Sequence, residues 1–175
     1  MLSLHPQFES SVPYTTRQPN KNERHGYDYF FIESETFEKD LKSNKFLEYS
    51  KIDGQLYGNR RDTVTHIVNT GKICVLEMDT RSLKMAMNNG MKVAYRIFVT
   101  PPSLEVLKER VITKLNFNQE ETNKFILEAS KEIEMANHLN LYHYIIENKD
   151  EQIFLQNASM LIKKLYPFID TKTKI

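Results

Sequence analysis

Apolar positions recur along this chain with two different periods, and the places where one period gives way to the other divide it into short elements. Tyr27 to Ile32 is a run of aromatic and β-branched residues, which predicts a strand. Ser34 then caps a helix whose Phe37 and Leu41 stand at i and i+4, ending near Asn44. Phe46–Ser50 and Gly54–Gly58 predict two short strands across a turn. Asp62 caps a helix with Val64, Ile67 and Val68 on one face, stopped by Gly71. From there strands and helices alternate. Ile73–Met78 reads as a buried parallel strand, Arg81–Asn89 as a helix and Lys92–Thr100 as a strand closed by Pro101-Pro102. Ser103 caps a helix carrying Val106, Leu107 and Val111, and Asn118 caps a longer one carrying Phe125, Ile126, Ala129 and Ile133. Tyr142–Ile146 completes the strands, and Ile153–Leu165 is a last amphipathic helix before Pro167. The alternation predicts an α/β layered core with a parallel sheet.

Ahead of this pattern, residues 1–10 are too few and too polar to form a layer alone and read as an N-terminal arm, with the domain occupying residues 11–175. Composition changes the picture little. The 175 residues carry a net charge of +1, so no strong field recruits nucleic acid or an anionic membrane. There is no apolar run long enough to span a bilayer, and no apolar segment of signal-peptide length at the amino terminus. The single cysteine, Cys74, excludes an intramolecular disulfide and reads as a core thiol in a reducing, cytoplasmic setting. The histidines show no metal-ligand spacing, so no metal site is expected.

The chemistry concentrates between Ser11 and Gly58. Arg17 offers a planar fork to phosphate oxygens, and the hydroxyls of Tyr29 and Tyr57 add neutral donors. Glu48 can accept from ring N–H and amino groups, and so can select guanine. Glu77 and Asp79 follow an apolar strand, where acids commonly face a nucleotide or its magnesium ion.

Thr15-Thr16-Arg17, Gly26-Tyr27-Asp28-Tyr29-Phe30-Phe31, Phe46-Leu47-Glu48 and Tyr57-Gly58 come in an order that resembles the GMP-binding subdomain of guanylate kinases. The resemblance runs on through Gly71–Asp79 and Pro101-Pro102-Ser103-Leu104. It implies a P-loop-kinase-like three-layer α/β fold, with a small β-rich GMP-binding subdomain over residues 12–70 and lid-like helices over 110–135. It also implies that Arg17, Tyr29 and Tyr57 hold the GMP phosphate while Glu48 reads the base. Asn59 stands where serine or threonine is usual and can still bond to guanine. Arg110 matches a lid arginine and Lys114 matches another less well.

The departures point away from catalysis. None of the five glycines stands in a G-x-x-x-x-G-K-[ST] loop, the element whose backbone N–H groups cradle ATP phosphates. Pro13 replaces a serine, Asn20 replaces a second phosphate-binding arginine and Phe125 replaces a lid arginine. Losing such a cation costs about 10³–10⁵ in rate for an arginine finger. Pro13 resembles instead the non-catalytic domains of membrane-associated guanylate-kinase scaffolds, which bind phosphopeptides or protein partners. Tyr57–Val64 and Arg81–Lys84 resemble leucine-rich-repeat guanylate-kinase proteins, implying a cytoskeletal or ciliary home. The expectation is therefore a pseudo-guanylate kinase: not an enzyme, with no resident cofactor, a vestigial site that holds GMP weakly and no catalytic residue. Its partner would be a protein covering a sheet edge beside Val75 and Ile97, with neither nucleic acid nor membrane among its ligands. Two alternatives stand beside it, a guanylate kinase whose ATP loop comes from other sequence or another chain, and a GMP or GDP sensor.

Overall fold

The computed structural model describes residues 5–167, and the described residues fall into two compact units, one up to Lys92 and one from Val93 onward. The first unit holds β1 (Phe8–Ser10), β2 (Tyr14–Thr15), β3 (Phe30–Phe31), α1 (Ser34–Lys42), β4 (Phe46–Ile52), β5 (Gln55–Arg60), α2 (Arg61–Asn69), β6 (Ile73–Val75) and α3 (Thr80–Asn88). Four of its strands form a sheet in the order β3-β2-β5-β4. β4 and β5 are a hairpin whose register runs from Phe46↔Arg60 to Ile52↔Gln55, with an irregularity between Phe46 and Glu48. The hairpin turns at Asp53-Gly54, both with positive φ (48° and 83°), the conformation two-residue hairpin loops require.

The core of this unit is aromatic. Phe37 of α1 is fully buried and stacks on Phe46 with ring centroids 4.2 Å apart, and Tyr14 stacks on Phe30 at 4.6 Å. Beneath the sheet's centre, Gly58 leaves no room for a side chain: an added Cβ would lie 2.6 Å from the Glu48 carbonyl oxygen and 2.9 Å from the Phe46 ring.

Several expected boundaries move, each for a local reason. The N-terminal arm contributes a strand: β1 runs parallel to β6 with Phe8↔Ile73 and Ser10↔Val75. A three-residue partner also explains why β6 stops at Val75 rather than Met78. The expected strand Tyr27–Ile32 shrinks to Phe30–Phe31, because only these two residues pair with β2. The cap of α1 is Glu33, without a side-chain bond, rather than Ser34. β5 runs straight into α2, so the extended Arg60 is its cap, and Asp62 sits in the first turn paired with Arg60.

The second unit holds β7 (Ile97–Thr100), α4 (Leu104–Leu115), α5 (Gln119–Leu139), β8 (Tyr144–Glu147) and α6 (Glu151–Leu165). β7 and β8 pair in parallel over four residues, Ile97↔Tyr144 to Thr100↔Glu147. Ser103 accepts from Val106 N at 3.2 Å and caps α4 as expected. Asn118 and Glu121 form a reciprocal capping box on α5. The expected parallel pairing is thus present, but as two separate two-stranded ladders, β1-β6 and β7-β8. Among the described residues β7 pairs with β8 alone, and its Ile97 and Val99 are 38% and 46% exposed. Val75 is half-buried. None of the helices described is long and apolar enough to cross a membrane.

Gly58→Ala tests the closest packing in the sheet. Overpacking of this kind costs about 1–3 kcal/mol, so the urea midpoint of the variant is expected well below that of the parent, while a midpoint unchanged within error would show that β4 and β5 have room to separate.

Candidate functional site

Tyr57 and Asn59 are two apart on β5 and so share one face of the four-stranded sheet, where the register sets Glu48 of β4 opposite Asn59. Glu48 is 4% exposed. Its Oε1 accepts from Asn59 N at 2.9 Å and from Asn59 Nδ2 at 2.8 Å. Ser11 Oγ donates to Asn59 Oδ1 at 3.0 Å. The base-reading candidates Glu48 and Asn59 therefore form one buried, hydrogen-bonded group.

The phosphate candidates gather separately in the same unit. Arg17 follows β2, its N–H held by Thr15 Oγ1 at 3.2 Å. Its guanidinium lies 5.4 Å from the Tyr29 ring centroid and 5.8 Å from that of Phe31, and Tyr57 lies against it too. Tyr29 and Tyr57 meet edge to face at 6.0 Å. One member of this cluster is not evident from sequence: Glu23. Arg17 closes on it bidentately, NH1 to Oε2 at 2.8 Å and NH2 to Oε1 at 2.9 Å. Asn20 N donates to the same carboxylate at 2.7 Å. The only sequence signal for Glu23 is an acid following the arginine across the turn-forming Gln18–Asn22 segment. Glu23 holds the Arg17 guanidinium well above its usual pKa, and Arg17 holds the Glu23 carboxyl down at about 2.

Glu77 and Asp79 do not join these groups as a metal site. Glu77 is exposed beyond the end of β6, and Asp79 caps α3, its Oδ1 accepting from Ser82 N at 2.7 Å. The described residues contain no group of three or more His, Cys, Asp or Glu placed to hold a metal ion. In the second unit Arg110 and Lys114 line an open cavity of about 500 Å³ together with Asn148, Lys149, Asp150, Glu151 and Phe154. Arg110 is already engaged there, donating to the Asn148 carbonyl at 2.8 Å and to that of Lys149.

A family model described as guanylate kinase matches residues 1–164. The chain belongs to the guanylate kinase family. It is 37% identical over 167 residues to Protein PALS1 of Danio rerio, an alignment covering 94% of this chain and 24% of that protein. It is 32% identical over 141 residues to the guanylate kinase of Sus scrofa, covering 81% of this chain and 71% of that one. The crystal structure of guanylate kinase from Anaplasma phagocytophilum superimposes with a TM-score of 0.71 at 26% identity, covering 95% of this chain and 78% of that one. The chain thus spans about a quarter of PALS1 and a larger part of the guanylate kinases.

These relatives overturn one expectation outright. Sequences named guanylate kinase from plant, animal and bacterial sources match over most of this chain, and a guanylate kinase shares its fold. The reading that this is not an enzyme does not stand. It rested on the missing glycine-rich loop and on the substitutions at Pro13, Asn20 and Phe125, whereas the similarity to guanylate kinases extends over nearly the whole chain.

The Arg17–Glu23 pair makes a pH-dependent contribution of known sign. Because the Glu23 carboxyl is depressed from 4.5 to about 2, the contribution is full above pH 4.5 and lost as pH falls through about 2. A carbon-NMR titration is expected to place the Glu23 midpoint near 2 in the parent and back toward 4.5 in Arg17→Ala. Equal midpoints in the two proteins would show that the pair does not form in solution.

Proposed function

We propose that the chain carries the GMP-binding part of a guanylate kinase, and that phosphoryl transfer from ATP to GMP is completed with a donor-phosphate loop supplied by other sequence or another chain. The observation that carries this reading is the buried Glu48 carboxylate. Oε1 is filled by two N–H donors, and Oε2 has no hydrogen bond to any described residue. Glu48 Oε2 is not among the fully buried oxygens that lack a donor, so it is open to a ligand, and the N–H edge of a guanine supplies a donor for it. On the same unit, Arg17 with Tyr29 and Tyr57 offers N–H and O–H donors to an anion.

In this reading an oxygen of the GMP phosphate attacks the terminal phosphorus of ATP, one P–O bond forms as the bond to ADP breaks, and GDP and ADP leave. The chain's part is positioning: Glu48 and Arg17 fix the two ends of GMP.

A second reading is favoured by the likeness to PALS1, in which the same face docks a protein partner bearing a phosphate. Both readings go with a cytoplasmic setting.

The deciding experiment is a coupled assay with ATP and GMP on the product of the complete reading frame, together with any chain that co-purifies. GDP formation is expected, with Arg17→Ala lowering kcat/KM for GMP by roughly 10- to 150-fold, the loss of one hydrogen bond to a charged group. Tight binding of a phosphopeptide with no GDP above a blank would favour the docking reading instead.

A further inference from the structure

Glu48 stands at the end of a buried relay that guanine binding by itself does not explain. Ser11 donates to Asn59 Oδ1 at 3.0 Å, and Asn59 donates to Glu48 Oε1 through Nδ2 at 2.8 Å and through its backbone N–H at 2.9 Å. All three residues are 3–4% exposed. Chemistry fixes the direction of the relay. A carboxylate only accepts, so the amide nitrogen of Asn59 must face Glu48 and its oxygen must face Ser11, whose hydroxyl then donates. Each link holds the next in place.

The relay also uses up one of the two carboxylate oxygens. With two N–H donors already on it, Oε1 has both lone pairs filled, and Oε2 alone is left for a ligand. Guanine presents its N1–H and its 2-amino group side by side, a pair of donors that a carboxylate with two free oxygens would grip as it grips the fork of an arginine. A single oxygen makes one good bond to that edge. Hypoxanthine offers the same N1–H without the amino group, whereas adenine offers an unprotonated N1.

We propose that Ser11 and Asn59 are positioning residues that set base specificity: they hold Glu48 so that Oε2 alone reads the base, and the site accepts 6-oxopurine mononucleotides, GMP and IMP, in preference to AMP while separating GMP from IMP only weakly. This rests on the GMP reading of the site. Asn59 acts on the base through Glu48: one of its amide N–H groups faces the carboxylate and its oxygen accepts from Ser11.

The test is calorimetric titration of the protein with GMP, IMP and AMP in turn. The parent is expected to bind IMP within about tenfold of GMP. Asn59→Ala removes the Nδ2 donor, frees a lone pair on Oε1 and gives the 2-amino group an acceptor of its own. The preference for GMP over IMP is then expected to widen by roughly 10- to 150-fold, the value of one hydrogen bond to a charged group. Ser11→Ala, which releases the amide of Asn59, moves the ratio in the same direction, and Ser11→Thr, which keeps the hydroxyl, restores the parent ratio. This pair tests the relay even if Asn59→Ala folds poorly. A parent that already separates GMP from IMP by more than about a hundredfold overturns the proposal. So does a ratio indifferent to both Ser11→Ala and Asn59→Ala. In either case GMP binding that is lost in Glu48→Ala leaves the GMP reading standing. A parent that binds none of the three nucleotides overturns that reading and this proposal with it.

Discussion

Placing a carboxylate where only 4% of its residue is exposed is unfavourable by several kcal/mol unless hydrogen bonds replace its hydration. At Glu48 the replacement comes from a neighbouring strand, and the rest of the first unit is arranged to deliver it. The β4–β5 register brings Asn59 opposite Glu48. That register in turn needs the Asp53-Gly54 turn with positive φ at both positions, and it needs a glycine at position 58, where the Glu48 carbonyl would meet any Cβ. Ser11, between β1 and β2, then fixes the amide of Asn59. A slip of one residue in the ladder would turn Asn59 to the other face and leave the charge without donors.

The second electrostatic feature is less buried and more adaptable. Arg17 is charge-neutralised by Glu23 and walled by the Tyr29 and Phe31 rings. A phosphate arriving there meets a guanidinium whose fork is closed on a carboxylate, so it either takes the remaining N–H donors or displaces Glu23. The two sites thus differ in kind. The base end is a fixed group with one carboxylate oxygen left for a ligand, and the phosphate end is an ion pair held in a pre-set place by Asn20 and Thr15.

Local signals were readable in the sequence and distant ones were not. The Asn118 and Ser103 caps involve partners within three residues of each other, and both are found where the pattern put them; the turn expected between Ser50 and Gly54 falls instead at Asp53-Gly54, because β4 runs on to Ile52. Arg17, Tyr29, Glu48, Tyr57 and Asn59 were legible as residue types in an order, and they fall on one unit of the structure. β1 was missed because Phe8–Ser10 is a strand only by virtue of β6, far along the chain. The relay from Ser11 was missed for the same reason, since nothing near Ser11 in sequence marks it as a partner of Asn59. Glu23 was missed because its role depends on how the Gln18–Asn22 segment returns the chain to Arg17. Inactivity was read from a missing glycine-rich loop and single substitutions, and such a reading has no weight for what the remaining contacts retain.

In the function proposed, the face shared by Tyr57, Asn59 and Glu48, with Arg17 beside it, receives GMP. Nitrogen-edited NMR of the labelled protein during a GMP titration tests it most directly. The largest shifts are expected on the Arg17, Tyr29, Glu48, Tyr57 and Asn59 amides and on the Asn59 side-chain amide, saturating together. Shifts confined to other elements, or none at millimolar GMP, would contradict it.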